Sequence, residues 1–376
     1  MYGIYIHIPF CAQKCSYCDF LSYPVHDDRK QSLYIEALIK EIELRVTEKW
    51  ANPVSIFIGG GTPTVLSVGL LKKLMHGIAA VIDTTKVEEF TVEANPGTVD
   101  AEKLYELQQG GVNRLSFGVQ SFDTALLKVL GRIHTAAQVR EAVSLARAQG
   151  INNINLDLMY GLPSMNQRLW QETLQQAIDL APSHLSLYQL IVEPQTKIAQ
   201  ELLKQQLPAI DEDLAAAQFD WQREWLKKYG YQQYEISNYA KENRMSIHNT
   251  LYWRLDNYLG LGLGATGWER PVRTTNTTAF NDYIYSLLEK KTLPPQTNEV
   301  LSLEEQMSES AFMGLRMNQG IDMIRFNMLY ERNFLKQFED AIDEGSKKGW
   351  LVQKDHFLTL TDAGRRMGNW VFELFL

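Results

Sequence analysis

The chain has 376 residues, of which 45% are hydrophobic and 22% are charged. This ordinary globular composition excludes a disordered or fibrous chain, and the length predicts one large domain, or one large and one small domain. The net charge of −8 argues against the basic surface of a nucleic-acid-binding protein. The chain has no apolar run of the roughly 20 residues that a membrane span needs and no basic signal-peptide start, so we expect a cytoplasmic protein.

Six short apolar or alternating runs in the first half of the chain predict buried strands. Helical patterns at residues 32–46, 136–149 and 169–180 lie between them, and Gly150 follows the second where a helix would end. Strands that alternate with helices indicate right-handed βαβ units and a parallel sheet, and therefore an α/β fold. The predicted strands are residues 3–8, 54–58, 90–93, 114–117, 154–158 and 185–191.

The three cysteines of the chain, Cys11, Cys15 and Cys18, lie close together in one segment. A disulfide framework would need an even number of well-spaced cysteines. Thiolates are soft ligands that favour zinc, copper(I) or iron–sulfur clusters. Structural zinc needs four ligands, so the zinc alternative would require His7 or a distant histidine as the fourth. The spacing favours an iron–sulfur cubane in which one iron has no protein ligand.

Polar residues and glycines follow the predicted strands. The run GGGTP at residues 59–63 follows the second strand, Glu93 ends the third, Gln120 follows the fourth and Asp157 lies near the end of the fifth. Ligands of parallel α/β folds bind at the carboxyl ends of the strands, so these residues predict one site. Together with Arg132, they are suited to a ligand with hydroxyl, amine and carboxylate groups. The glycine run by itself fits a tight turn equally well.

The character of the sequence changes after about residue 200. Residues 201–208 resemble a linker, residues 212–229 a helix, and residues 231–268 an irregular aromatic stretch. Helical patterns resume at residue 303, and two short strands, at 350–353 and 357–361, precede the last helix. Helices followed by a small hairpin suggest a winged-helix-like module.

The segment that holds the cysteines resembles a known family. The run Tyr5-Ile6-His7-Ile8-Pro9-Phe10-Cys11-x3-Cys15-x-Tyr17-Cys18, together with Gly60-Gly61-Thr62-Pro63, resembles the radical S-adenosylmethionine (SAM) superfamily. Motifs at residues 95–96, 118–122, 130–132, 157–163 and 234–238 resemble its HemN/HemW branch. That branch contains the oxygen-independent coproporphyrinogen III dehydrogenase and a haem chaperone. The resemblance covers nearly the whole chain.

This resemblance implies a fold, a set of cofactors and a set of site residues. The fold is a partial (β/α)6 barrel of the TIM type over residues 1–235, a connecting aromatic segment over 236–300, and a mostly α, winged-helix-like module over 301–376. Cys11, Cys15 and Cys18 would bind a [4Fe-4S] cluster, and SAM would bind its fourth iron and be cleaved reductively. The residues expected to contact SAM are Tyr5, Phe20, Gly60, Gly61, Thr62, Glu93, Gln120, Arg132 and Asp157.

Two departures from the dehydrogenase favour the chaperone. With the first cysteine at residue 11, we expect the long segment that precedes the cysteines of the dehydrogenase to be absent, and Phe20 stands where the dehydrogenase has a fourth cysteine. The run His248-Asn249-x-x-Tyr252-Trp253 also resembles a signature of the chaperone members. His248, Tyr252 and Trp253 are therefore the predicted haem site, with His248 as a neutral imidazole beside two aromatic rings. The alternative for His248 is a hydrogen-bonded loop histidine.

The sequence thus predicts a protein that binds haem and delivers it to acceptor proteins, including membrane-associated respiratory proteins. We expect it neither to span a membrane nor to bind nucleic acid, and a homodimer is one candidate assembly. Two alternative functions are the radical decarboxylation of coproporphyrinogen III and the modification of tRNA by a radical enzyme. The net charge of −8 counts against the second.

Overall fold

The computed structural model describes residues 1–24 and 27–376. Its strands are β1 (Tyr2–Ile8), β2 (Phe10–Cys11), β3 (Tyr23–Pro24), β4 (Ser55–Gly60), β5 (Glu89–Ala94), β6 (Arg114–Gln120), β7 (Asn153–Tyr160), β8 (His184–Gln189), β9 (Gln232–Gln233), β10 (Asn238–Ala240), β11 (Asn257–Leu261), β12 (Thr266–Glu269), β13 (Val272–Asn276), β14 (Gln296–Val300), β15 (Ile321–Asp322), β16 (Leu351–Lys354) and β17 (Phe357–Leu360).

Helices connect most of these strands. The α-helices are α1 (Asp28–Arg45), α2 (Val68–Ala79), α3 (Ala101–Gln109), α4 (Thr124–Val129), α5 (Ala136–Ala148), α6 (Gln167–Asp179), α7 (Lys197–Leu203), α8 (Glu212–Lys227), α9 (Ile247–Trp253), α10 (Phe280–Ile284), α11 (Leu303–Leu315), α12 (Met323–Tyr330), α13 (Phe334–Gln337), α14 (Glu339–Lys347), α15 (Asp362–Arg366) and α16 (Gly368–Glu373). A π-helical turn at Tyr285–Glu289 and 3₁₀ turns at Glu48–Trp50, Pro63–Val65, Thr84–Lys86 and Pro96–Thr98 also occur.

One large sheet organises the first 300 residues, with the strand order β14-β13-β12-β11-β1-β4-β5-β6-β7-β8-β10-β9. The seven strands from β11 to β8 pair in parallel, and the strands outside them pair antiparallel. All six predicted strands are present, as β1, β4, β5, β6, β7 and β8. Within the described residues β14 and β9 are the sheet edges, so the sheet stays open, which agrees with the predicted partial barrel.

The parallel strands form because both of their faces are covered. In β1, Ile4, Ile6 and Ile8 are buried on one face, and Gly3 and His7 are buried on the other. The predicted helix at residues 136–149 is α5, which begins with a capping box between Thr135 and Gln138. Gly150 follows this helix with φ +83°, a left-handed conformation that a glycine adopts without strain. The capping residues and the buried apolar residues therefore both favour the observed strands and helices in this part of the chain.

The aromatic stretch at residues 231–268 is more regular than the sequence predicts. It contains β9, β10, α9, β11 and β12, and β11 pairs in parallel with β1 from Asn257 to Leu261. A Cβ atom added at Gly260 would lie 2.2 Å from the carbonyl oxygen of Thr266, so this position needs a glycine. The predicted linker at 201–208 starts inside α7, which ends at Leu203. Since strands of segment 236–300 belong to the large sheet, the division at residue 235 stays a prediction.

The C-terminal module has its own hydrophobic cluster, which includes Phe326, Phe334 and Phe338. Its helices α11 to α14 precede the hairpin of β16 and β17, as the sequence predicts, and the hairpin also pairs with β15, which the sequence does not predict, in a three-stranded sheet. The module meets the barrel through an ion pair of 2.6 Å between Arg325 and Asp256. No helix in the described ranges is both long and apolar enough to cross a bilayer.

Candidate functional site

Residues 11–18 carry the cysteines and are here called the cysteine loop. This loop follows β1 at the carboxyl edge of the large sheet. The backbone N–H of Ser16 donates to the carbonyl of Leu130 at 3.0 Å, and the carbonyl of Ser16 accepts from the N–H of Ile198 at 2.9 Å. Gly131 has φ +69°, and a Cβ there would lie 2.9 Å from Ser16 Oγ. The loop is therefore held against the connection between α4 and α5 and against α7.

The three cysteines differ in burial. Cys11 is buried, whereas Cys15 and Cys18 are half-buried. Burial raises the pKa of the Cys11 thiol, and the charges of Cys15 and Cys18 raise it further. A bound metal cluster would stabilise the thiolate forms against this cost.

A chain of hydrogen bonds links two of the cysteines across the site. Arg132 Nη1 donates to Cys15 Sγ at 3.3 Å, and its Nη2 donates to the side-chain oxygen of Asn95. Asn95 Nδ2 donates to Thr62 Oγ1 at 2.9 Å, and the Thr62 hydroxyl lies 3.8 Å from Cys11 Sγ. The structure therefore brings the predicted residues Thr62 and Arg132 to the cysteines. Hydrogen bonds to sulfur ligands stabilise their negative charge and tune the potential of a cluster.

The glycine run fixes the end of β4 against the cysteine loop. The N–H of Gly61 donates to the carbonyl of Ile8 at 2.8 Å, and the N–H of Thr62 donates to the carbonyl of Phe10 at 2.7 Å. Gly60 has φ +105°, and a Cβ there would lie 2.3 Å from the ring of His7. These glycines therefore allow a close approach of two backbones, and their contact with SAM stays a prediction.

Two carboxyl groups face the same edge of the sheet. Glu93 Oε2 accepts from the N–H of Gly60 at 3.0 Å. Asp157 accepts from Asn155 Nδ2 at 2.8 Å and from Ser116 Oγ at 3.1 Å. Burial and, next, the charge of Asp157 raise the pKa of Glu93 to about 7. The pair is suited to bind a ligand that carries an ammonium group or hydroxyl donors.

Tyr5 and His7 form a fixed pair beside these carboxyl groups. His7 Nε2 lies 2.9 Å from the carbonyl of Leu21, and His7 Nδ1 lies 2.9 Å from the hydroxyl of Tyr5. Burial lowers the pKa of His7, so the ring is neutral. A carbonyl only accepts, so Nε2 carries the proton and Nδ1 accepts from Tyr5. Both ring nitrogens of His7 are therefore engaged in hydrogen bonds.

Gln120 and Phe20 lie in different surroundings. Gln120 is the last residue of β6, and it follows an irregularity in the pairing with β7 that starts at Gly118. Its φ of +64° is unusual for a residue other than glycine, and it lies almost buried at the sheet edge. The side chain of Phe20 is 69% exposed. Contact of either residue with SAM stays a prediction.

The predicted haem residues lie at the opposite edge of the sheet. His248 is fully buried, and its Nδ1 lies 2.8 Å from the hydroxyl of Ser55, the first residue of β4. Its Nε2 lies 2.8 Å from the hydroxyl of Tyr252. Burial lowers the pKa of His248 to about 3. Both ring nitrogens thus lie within hydrogen-bond distance of a hydroxyl, as the alternative of a hydrogen-bonded histidine has it, and the role of His248, Tyr252 and Trp253 in haem binding stays a prediction.

Sequence reasoning missed three polar side chains that position the predicted ones. Asn95 bridges Arg132 and Thr62, whereas Asn155 and Ser116 orient Asp157. A usable signal was present in β7, because alternate residues of a strand face the same side. Asn153, Asn155 and Asp157 occupy such alternate positions in β7, and the residues between them are apolar.

Comparisons with known proteins agree with this geometry. The model of the radical SAM superfamily matches residues 5–177, and the model of the HemN C-terminal domain matches residues 301–367. The chain is 38% identical over 379 residues to a protein of Bacillus subtilis (strain 168) named "Heme chaperone HemW", covering 100% of this chain and 99% of that one. The chain belongs to the HemN/HemW branch of the radical SAM superfamily. A HemW relative from Escherichia coli (strain K12) is 36% identical, over 100% of this chain and 98% of the relative.

A solved structure from this branch shows the same fold. Coproporphyrinogen III oxidase (HemN) of Escherichia coli, described as a radical SAM enzyme, superposes with a TM-score of 0.86 at 21% identity. The match covers 100% of this chain and 89% of that one. Membership in the radical SAM superfamily implies a [4Fe-4S] cluster and SAM. Three soft sulfur ligands in one loop, with an arginine donating to one of them, fit such a cluster.

Proposed function

We propose that this protein is a haem chaperone of the radical SAM type. It acts in the cytoplasm, binds haem, and passes it to acceptor haemoproteins, including membrane-associated proteins of the respiratory chain. The observation that carries this proposal is the similarity over the full chain to relatives named "Heme chaperone HemW", at 38%, 36% and 36% identity for the first three. Membership in the HemN/HemW branch alone would not distinguish between two functions, that of a coproporphyrinogen III oxidase and that of a haem chaperone.

The cysteine edge of the sheet would hold the two resident cofactors. Cys11, Cys15 and Cys18 would bind the cluster, which supplies one-electron chemistry when bound. Arg132 and Thr62 would donate hydrogen bonds to sulfur, as they do to Cys15 and Cys11 in the structure. Tyr5, Gly60, Gly61, Glu93, Gln120 and Asp157 would line the place of SAM, with Phe20 at the rim.

The ionisation of the two carboxyl groups at this edge would control how strongly they bind a cationic ligand. Glu93 has a pKa of about 7 and so changes charge near neutrality. Burial raises the pKa of Asp157, and hydrogen bonds from Asn155 and Ser116 partly oppose this rise. A cationic ligand would bind best when both carboxyl groups are ionised.

The rival function within the same fold is oxidation of coproporphyrinogen III. By the resemblance, Phe20 stands where that enzyme has a fourth cysteine, and its exposed ring would offer no chemistry in place of a thiol. The test incubates anaerobically reconstituted protein with coproporphyrinogen III, a reductant and SAM, beside a coproporphyrinogen III oxidase as positive control. We expect no protoporphyrinogen IX from this protein, and about one haem bound per chain in a parallel titration. Sustained turnover of coproporphyrinogen III would reverse the proposal.

A further inference from the structure

Four buried residues connect Asp157, at the carboxyl edge of the sheet, with the start of α9 at the opposite edge. Asn155 Nδ2 lies 2.8 Å from Asp157 Oδ1, and Asn155 Oδ1 lies 2.7 Å from His184 Nδ1. His184 Nε2 lies 2.9 Å from the hydroxyl of Tyr234, which lies 3.2 Å from the backbone nitrogen of Ser246. These five residues, here called the barrel network, therefore form a continuous series of hydrogen bonds.

The donors of the barrel network all point toward Asp157. A carboxylate only accepts, so the amide of Asn155 turns its N–H to Asp157 and its oxygen to His184, and Nδ1 of His184 carries the proton. Burial lowers the pKa of His184 well below its usual value, so the ring is neutral and Nε2 accepts from the Tyr234 hydroxyl. The Tyr234 oxygen in turn accepts the N–H of Ser246. Hydrogen bonds in such a series strengthen one another, and a negative charge on the last acceptor strengthens its own bond most.

The far end of the barrel network meets the first turn of α9. Ser246 is the N-cap residue of this helix, and its hydroxyl donates to Glu89 Oε1 at 3.0 Å. The same carboxyl group accepts the N–H of Ile247 at 2.9 Å and the N–H of His248 at 3.0 Å. Glu89 and Tyr234 thus accept the backbone N–H groups with which α9 begins.

We propose that the barrel network couples Asp157 to the first turn of α9, so that a cationic ligand bound at Asp157 loosens this turn. The positive charge and the donors of such a ligand draw on the Asp157 oxygens, which weakens the bond from Asn155 and, through it, the bonds that follow. Because α9 carries the run His248-Asn249-x-x-Tyr252-Trp253, occupancy of the carboxyl edge then controls how firmly this run is held. The coupling does not require α9 to bind haem, so it stands or falls separately from the proposed function.

The test is hydrogen exchange, followed by mass spectrometry, of residues 246–253 in the full-length, cluster-loaded protein without SAM. Asp157→Asn still offers an oxygen to Asn155 and removes only the charge. We expect this segment to exchange severalfold faster in the variant than in the wild type. Tyr234→Phe removes the hydroxyl in the middle of the barrel network. In that background Asp157→Asn should cause no further change, because the two substitutions act on one series of bonds.

The matched control is Tyr231→Phe, which removes the hydroxyl of another buried tyrosine, one that donates to the Pro182 carbonyl outside the barrel network. In this background Asp157→Asn should accelerate exchange as it does in the wild type. A merely structural role of Tyr234 would change the exchange of Tyr234→Phe but leave the effect of Asp157→Asn intact. That result, or wild-type exchange in Asp157→Asn, would overturn the coupling.

Addition of SAM tests the effect of the ligand itself. Saturating SAM should accelerate exchange of residues 246–253 in the wild type and in Tyr231→Phe, and should leave the segment unchanged in Tyr234→Phe. Equilibrium dialysis on the same samples measures how much SAM is bound. Exchange that bound SAM slows or leaves unchanged in the wild type would overturn the proposal that a ligand at Asp157 loosens α9.

Discussion

At the scale of single residues, Asn95 has a role that its position in a short Asn-Pro motif did not reveal. It accepts from Arg132 and donates to Thr62, and these two residues in turn contact Cys15 and Cys11. A side chain that must both accept and donate suits an amide, since a carboxylate would provide only acceptors. The bridge thus orients the donors to two of the three sulfur atoms.

This bridge gives a prediction for cluster retention. Asn95→Ala should weaken the hold on the cluster, because Arg132 and Thr62 lose their common partner and reorient. We expect the iron and sulfide that remain per chain after anaerobic gel filtration to fall severalfold below wild type. Asn152→Ala removes an exposed asparagine that bonds only to the neighbouring Gly150 carbonyl, and should keep the wild-type content. Equal retention in both variants would contradict the role assigned to Asn95.

The raised pKa of Glu93 predicts a pH dependence for SAM binding. The carboxyl group is protonated below its pKa of about 7 and ionised above it, and the cationic ligand favours the ionised form. Affinity should therefore rise roughly tenfold between about pH 6 and about pH 8. Equilibrium dialysis at each pH measures it. Glu93→Gln should bind SAM more weakly and lose this rise in affinity. Any pH dependence that remains in this variant comes from titration of the ligand itself. Glu102→Gln, which changes an exposed residue of α3, should behave like wild type.

At the scale of elements, the junction of β1 and β4 depends on a residue without a side chain. Gly60→Ala should destabilise the fold, because its Cβ would meet the His7 ring at 2.3 Å and its φ of +105° is strained for alanine. We expect the free energy of unfolding to fall by about 2 kcal/mol or more. Urea unfolding measures this loss. The control is Gly69→Ala in α2, where the new Cβ has nothing within 4 Å and the change should be neutral or slightly stabilising. An equal loss of unfolding free energy in both variants would refute the steric argument.

The elements also show which parts of the fold the sequence predicts. The six parallel strands are predictable, because burial on both faces gives them short continuous apolar runs. The strand β11 is not, because its Gly260 serves a close approach to Thr266 and resembles a loop residue in the sequence. At the site, Glu93 and Asp157 are found from their places at strand ends. The hydrogen bonds of His248 to Ser55 and Tyr252 could not be predicted, because they depend on tertiary contacts that no local pattern contains, and its role in haem binding stays a prediction.

At the scale of the whole molecule, the cysteine loop and the predicted haem residues lie at opposite edges of the large sheet. The cysteine loop follows β1 at the carboxyl edge, whereas His248 contacts Ser55 at the start of β4. Cluster and haem would therefore bind without competing for ligands.

This separation predicts independent loading. Wild-type protein reconstituted anaerobically should hold about four irons and four sulfides per chain before haem is added. Cys15→Ala should lose most of them, yet bind haem with wild-type affinity. Metal and sulfide analysis and a haem titration on the same sample measure both. Stoichiometric zinc in place of iron, or parallel loss of haem and cluster, would contradict the arrangement.

The central claim, that the chain carries haem in order to deliver it, is tested most directly by haem transfer. Haem-loaded protein is mixed anaerobically with the apo form of a respiratory haemoprotein, and the recovered acceptor activity is followed beside the same concentration of free haem. We predict that the loaded protein restores acceptor activity, with loss of its own haem absorption in equal amount, and that a scavenger of free haem does not abolish the transfer. Retention of haem by the protein, or transfer that the scavenger abolishes completely, would contradict the account.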